Sequence, residues 1–144
     1  MTRYLIDASV LVSAAVARPG TPISLLMDAV EDGKVEMVAC ELLIGEVRRG
    51  LAGSYFRERL PAHDREAVLK GLQRIAVIRD DPESPPAVLR DPHDDYLPAL
   101  ALDANADAIV SGDRDLLDHT GLRPEAITPR EACRRLGLPL EETP

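Results

Sequence analysis

The stretch "YLIDASVLVSA", Tyr4 to Ala14, sets a single carboxylate, Asp7, into an apolar run. Burying a lone ionised carboxylate is costly unless a partner charge or a metal ion meets it. Three more acidic stations follow along the chain. Glu46 stands inside "ELLIGEVRRGL", flanked by residues that read as core. "RDPHDDY" brings Asp91, Asp94 and Asp95 to a helix start, and "SGDRDLL" brings Asp113 and Asp115 to the end of an apolar strand. Were the first, third and fourth stations to meet at one sheet edge, no nearby lysine would neutralise them. Two carboxylates about 5 Å apart repel by roughly 3 kcal/mol at an effective dielectric near 20. Hard cations that take oxygen ligands, Mg2+ or Mn2+, resolve such a cluster.

Each station also has a plainer reading. Asp94 and Asp95 serve as helix N-terminal caps in that view. Asp113 is then a turn residue after Gly112, and Glu46 a solvated helix residue paired with Arg49 on the same face. Asp7 is the hardest to explain in this way. The ordered set of four says more than any member alone.

These stations need elements to position them. "RYLID" reads as a strand, followed by the helix "ASVLVSAAVA" with Ser9 near its start. "TPISLLMDAVEDG" has Thr21 as N-cap, Pro22 at the first helical position and Gly33 past the end. "KVEMVAC" suits a strand. "ELLIGEVRRGLAG" spaces Leu42, Leu43, Val47 and Leu51 helically and closes on Gly53. "AHDREAVLKGLQRI" is amphipathic, and "AVIRD" suits a strand. The proline-rich "DPESPPAVLRDPH" reads as the most flexible connection. "DDYLPALALDANA" is a helix that tolerates Pro98 in its first turns. "DAIVSGD" is a buried strand, "RDLLDH" a short helix, and "AITPREACRRLG" a brief strand leading to a helix capped by Thr128. This alternation implies a parallel sheet covered on both faces. Ligands bind at the carboxyl ends of such strands, where Asp7 and Asp113 would stand.

Composition narrows the function classes. The 144 residues suit one domain, 45% apolar and 29% charged, with aromatics at only 3% and no tryptophan. The net charge of −8 argues against coating nucleic acid by bulk electrostatics. It leaves room for local phosphate contact through metal ions. Cys40 and Cys133 fit no metal or redox spacing and read as two buried or half-buried thiols. Asp7 interrupts the N-terminal apolar run, and no apolar stretch reaches the ~18 residues of a membrane span. The expectation is a cytoplasmic protein.

The motifs together resemble the PIN-domain ribonucleases, the class that includes the toxins of VapC-type toxin–antitoxin pairs. "LIDASVLVSA" resembles the family's opening, where an Asp is followed two positions later by Asn, Ser or Thr; Ser9 fills that place. "CELLIGEVRRGL" resembles the segment carrying the second acid, which would give Glu46 that role. "LRDPHDDYLPALALDANADAIVSGDRDLL" is similar to a signature of one PIN subfamily. It would make Asp94 the third acid and Asp113 the fourth, with Asp91 and Asp115 as near neighbours and Asp95 beside Asp94.

The resemblance runs from Arg3 to Leu138. It implies one PIN-like α/β domain over residues 1–138 with a short tail at 139–144. The arrangement would be a three-layer α/β/α, built on a central, mostly parallel sheet of four to five strands. The implied activity is a Mg2+- or Mn2+-dependent endoribonuclease holding one or two ions on Asp7, Glu46, Asp94 and Asp113, with Asp95 and Asp115 as further ligands. Ser9 and Ser111 would orient carboxylates or metal-bound water. Arg48, Arg49 and Arg114 lie beside acidic stations and would meet phosphate oxygens, or else are solvated surface. The implied partners are RNA, a cognate antitoxin that inserts a basic side chain among the acids, and a second copy of the chain. The homodimer would use an apolar helix face, either "ISLLMDAV" or the helix around Leu43.

Other classes fit less well. A housekeeping PIN nuclease for RNA processing would carry the same residues. A metal-dependent binding module of the von Willebrand A type needs a serine where Leu11 stands, and a haloacid dehalogenase-like phosphatase needs an Asp where Ser9 stands.

Overall fold

The first strand, β1 (Arg3–Ile6), is almost wholly apolar and sits at the centre of the sheet. It is followed by α1 (Ala8–Ala14), α2 (Pro22–Glu31), β2 (Glu36–Ala39), α3 (Glu41–Leu51), α4 (Ser54–Arg59), α5 (Ala62–Ile75) and β3 (Val77–Ile78). A single 3-10 turn at Pro92–Asp94 leads into α6 (Tyr96–Asp103). The chain ends with β4 (Ala108–Val110), α7 (Arg114–Leu117), β5 (Ala126–Ile127) and α8 (Pro129–Arg135). This is a computed structural model, and it describes residues 1–141. The expected tail at 139–144 therefore lies partly outside the described residues; within them, Leu140 packs against the core.

All five strands run parallel, in the order β3-β2-β1-β4-β5. From β1 the chain steps to β2 and β3 on one side, then crosses back to β4 and β5 on the other. Right-handed crossovers place the helices of the first half on one face of the sheet and α6 and α7 on the opposite face. The fold is the expected α/β class, with five parallel strands flanked by helices.

The core is aliphatic, as the scarcity of aromatics requires. Leu5, Ile6, Leu11, Leu26, Met37, Val38, Leu43, Leu100 and Ile109 are all fully buried, and both cysteines are free and buried. Two N-caps stand where the sequence puts them: Thr21 accepts from Ser24 N, and Thr128 from Glu131 N at 3.1 Å. Helix α3 has no side-chain cap of its own at Cys40. Asp81 supplies one from 39 residues away, its Oδ1 accepting from Leu42 N at 3.0 Å.

Two sequence expectations change. Helix α4 was not foreseen; its six residues have no apolar period and are held by Phe56 against the core and by Arg59 stacked 3.5 Å over the Tyr55 ring. The proline-rich segment is tied down rather than loose. Asp95 Oδ1 accepts from Val88 N (3.0 Å) and Leu89 N (2.7 Å), and the His119 ring bonds Val88 O at 3.0 Å. The helix face around Leu43 is core, and Leu26, Ala29 and Val30 of α2 are buried as well. Ile23, Leu25 and Met27 of α2 stay partly exposed, and Leu42 of α3 is exposed, so each segment buries one side in the core and keeps apolar surface on another.

Candidate active site

The site forms where the strand order reverses, between β1 and β4. At such a switch point the loops leaving two neighbouring strands diverge and leave a crevice at their carboxyl ends. Asp7 leaves β1 here, its own N–H still donating to Val110 O of β4 at 3.0 Å. Ser111 and Asp113 leave β4. Asp94 comes from the turn before α6, and Glu46 from the middle of α3. The cleft has a volume of about 480 Å3 and is lined by all four carboxylates, with Ser9, Ser13 and Gly112 between them.

Asp7 is only 6% exposed, yet it is well partnered. Oδ1 accepts from Val10 N (3.0 Å), which caps α1, and from Ser9 Oγ (2.9 Å). Oδ2 accepts from the fully buried Ser111 hydroxyl, and Ser111 Oγ in turn accepts from Asp113 N at 2.9 Å. The two serines thus fix the orientation of Asp7 and link it to the loop that carries Asp113. Asp113 caps α7, accepting from Asp115 N at 2.9 Å. Asp7 and Asp113 are helix caps as well as cleft residues, a local role that the sequence reading gave to neither.

Helix α3 is brought close enough to present Glu46 because Gly50 faces α1. A Cβ at Gly50 would lie 2.7 Å from Val12 Cγ2. From sequence Gly50 reads only as the uncharged position one turn after Glu46 on the same face; its close approach to Val12 is what sequence reasoning missed. The Glu46 carboxyl is pushed up mainly by burial, against the pull of the Tyr96 hydroxyl and the Arg49 guanidinium. The Tyr96 hydroxyl is itself buried and lies outside hydrogen-bond geometry to any described partner.

The same physics acts on the other acids. Burial raises Asp7, with its serine and backbone donors opposing and Asp113 adding to the rise. Asp94 is raised to about 6, first by burial and then by Asp91, Glu46, Asp113 and Asp7. Desolvation, more than mutual repulsion, is the leading cause at all three.

The structure separates the remaining candidates. Asp95 does not face the cleft: it is 5% exposed and its carboxylate clamps Val88 and Leu89. It leaves the set of candidate ligands because the helical turn at Asp94–Tyr96 directs consecutive side chains to different sides. Asp115 is exposed and does not line the cleft. Arg48 pairs with Glu66 (3.1 Å) and Arg114 with Asp118 (2.9 Å), both away from the cleft. Arg49 alone of the three borders the site, on its α3 side.

The donors that line the cleft are carboxylate and hydroxyl oxygens, with no thiolate or imidazole among them. That set fits a hard divalent cation. Among the described residues no three acidic, His or Cys side chains converge into a complete ligand set. Mg2+ tolerates such an open arrangement, since it keeps several waters and takes only one or two carboxylates.

A family model described as PIN domain matches residues 3–115, most of the chain. The chain belongs to the PIN domain family. That family is one of nucleases, so the coarse chemistry is phosphodiester hydrolysis. The fold of this PIN domain is similar to that of PAE2754 from Pyrobaculum aerophilum, with TM-score 0.66 and 22% identity over 94% of this chain and 90% of that one. It is also similar to VapBC2 from Rickettsia felis bound to a DNA fragment from their promoter, with TM-score 0.59 and 12% identity over 88% of this chain and 98% of that one. FitAcB from Neisseria gonorrhoeae matches with TM-score 0.57 and 16% identity over 88% and 97% of the two chains. A comparison with curated proteins finds no match. No helix among the described residues is long and apolar enough to cross a membrane.

Proposed function

We propose that this PIN domain is a Mg2+- or Mn2+-dependent endoribonuclease and the toxin of a toxin–antitoxin pair. The observation that carries the reading is that Asp7, Glu46, Asp94 and Asp113, from four separate elements, line one cleft at the switch point of the sheet. These four residues would hold one or two ions, which supply an activated water and charge neutralisation at the scissile phosphate.

The chain's own residues do the rest. Ser9 and Ser111 hold both oxygens of Asp7, so the carboxylate is oriented before anything binds. Asp7 is the buried member of the set, while Glu46, Asp94 and Asp113 are half-buried and reach the open cleft. Without metal the Asp94 carboxyl is raised to about 6, so below that value a proton competes with a cation for it.

The sequence resemblance to VapC-type toxins supports an antitoxin as partner, and the likeness to VapBC2 is in keeping with it. An antitoxin segment with one basic side chain would fit among four unneutralised carboxylates. A homodimer is proposed on the same resemblance; light scattering that shows only monomer at tens of micromolar overturns it.

The test is cleavage of single-stranded RNA by the purified protein in Mg2+ or Mn2+, with EDTA as control. Loss of cleavage in EDTA and in folded Asp7→Asn is the expected result. Undiminished cleavage by Asp7→Asn removes Asp7 from the mechanism.

A further inference from the structure

A second cleft of about 660 Å3 adjoins the acidic one, sharing Glu46 and Asp94 as its wall. Its other lining residues are Leu42, Arg49, Tyr96, His93 and three prolines, Pro82, Pro85 and Pro92. Four observations make it a built feature rather than a gap under a loop. The proline segment that walls it is tied at its start by Asp81 to the N-terminus of α3, and at its end by Asp95 and His119. Arg49 and His93 both lie close enough to Glu46 to act on its charge. Neither is taken up in an ion pair among the described residues, whereas Arg48 and Arg114 both are. The Arg49 guanidinium lies back along α3, its Nη1 3.5 Å from where a Cβ at Gly45 would stand, an ordinary contact distance.

Flat surfaces and an unpaired guanidinium beside a nuclease cleft suit a nucleotide. Unpaired RNA bases stack on His rings and Arg guanidinium planes as well as on Phe, Tyr and Trp. This chain has no tryptophan, one phenylalanine and three tyrosines. Phe56 and Tyr55 pack on each other at α4, Tyr4 is buried in β1, and Tyr96 is 4% exposed. Phe56 lines a separate groove beside Ser9, Glu46 and Arg49, so within the proline-walled cleft the flat surfaces left for stacking are those of His93 and Arg49.

We propose that the proline-walled cleft is a nucleotide subsite, seating the base and ribose next to the scissile phosphate between His93, Arg49 and the prolines. The proposal rests on the nuclease reading and adds to it the path of the strand: from the acidic cleft over Glu46 and Asp94, toward α3 rather than α7. The prolines give apolar, rigid contact without side-chain entropy to lose. Arg49 and His93 supply planes, and Arg49 positive charge, where the strand leaves four carboxylates behind. The contacts proposed are to the faces of the base, which every base offers, so both purine and pyrimidine nucleotides should bind.

The experiment uses the full chain without metal, in EDTA, and follows the histidine ring protons by NMR. The three histidines, His63, His93 and His119, give three signals, and His93→Gln assigns the middle one. Adenosine and uridine 5′-monophosphate are the probes, with inorganic phosphate as control. Saturable movement of the His93 signal by both nucleotides, weakened at least fivefold in Arg49→Gln, is the expected result. No movement, equal movement at the exposed His63, or equal movement with phosphate alone overturns the subsite. A separate assay of RNA cleavage keeps the two readings apart. With cleavage intact, Arg49→Gln should raise KM about tenfold and lower kcat by a smaller factor. RNA cleavage without a His93 response removes the subsite and leaves the nuclease. A His93 response without cleavage removes the nuclease and leaves a nucleotide site.

Discussion

At the residue scale, neighbouring groups of one type do different work according to where the backbone turns them. Asp94 faces the cleft and Asp95 faces away. Asp91, not Asp94, caps the 3-10 turn, so Asp94 is free of a capping duty. Its raised pKa has a consequence for stability. A carboxyl whose folded pKa lies above its ordinary 3.8 adds stability that is complete below that value and is lost as pH rises through about 6. Asp94→Asn removes that loss. In EDTA its urea midpoint relative to wild type should therefore climb between about pH 4 and pH 6 and level off above; a difference that stays constant across the range contradicts the raised value. Ser111 offers a second check. Its hydroxyl orients Asp7 and accepts from Asp113 N without facing substrate. Ser111→Ala should weaken metal-dependent cleavage by about 10- to 100-fold, with the deficit partly recovered at higher Mn2+. Activity unchanged across a Mn2+ titration would make the serine packing alone.

At the element scale, the sequence made most of the frame legible. Strands and helices with a clear period and a good cap stand where they were expected, as with Thr21-Pro22 and Thr128-Pro129. What it hid were contacts between distant segments. Nothing local in "DPESPPAVLRDPH" announces that Asp81 caps α3 or that Asp95 clamps its far end, so prolines read as looseness when they form a wall. Asp95→Ala should orphan two backbone donors and cost about 1–3 kcal/mol by denaturant titration. The close approach of α1 and α3 was hidden for the same reason. Gly50→Ala gains up to about 1 kcal/mol of helix propensity, but overpacking against the stiff Val12 costs roughly 1–3 kcal/mol. The clash wins. The variant should lose stability and, by displacing Glu46, activity, while Val12→Ala in the same protein should restore much of both. A double-mutant cycle with no coupling would show that the helices part without strain.

At the scale of the whole molecule, the four acids were legible because each sits at a fixed offset from an element end or inside a helix of clear period. The strand order that gathers them was legible only as a class. The sequence could not tell Asp95 from Asp94, nor Arg49 from Arg48 and Arg114. Those choices depend on a turn of roughly 100° per residue and on which neighbour takes each cation. The gathered set predicts a coupling between metal and stability that no single carboxylate would produce. A cation bound only by the folded chain stabilises it by about 2.7 kcal/mol at a hundredfold excess over its dissociation constant. For a domain of this size that is a rise in melting temperature of roughly 10 °C. Asp7→Asn keeps an oxygen for the α1 cap and for Ser9 but removes charge from the cleft. It should melt no lower than wild type in EDTA and gain much less from Mn2+. Asp95→Asn should melt lower in EDTA, since a clamp is weakened, yet gain the full Mn2+ shift. Thermal melts of the three proteins with EDTA and with millimolar Mn2+ decide the matter. If Asp7→Asn keeps the whole metal shift, or Asp95→Asn loses it, the ions bind somewhere other than the cleft at the switch point of the sheet.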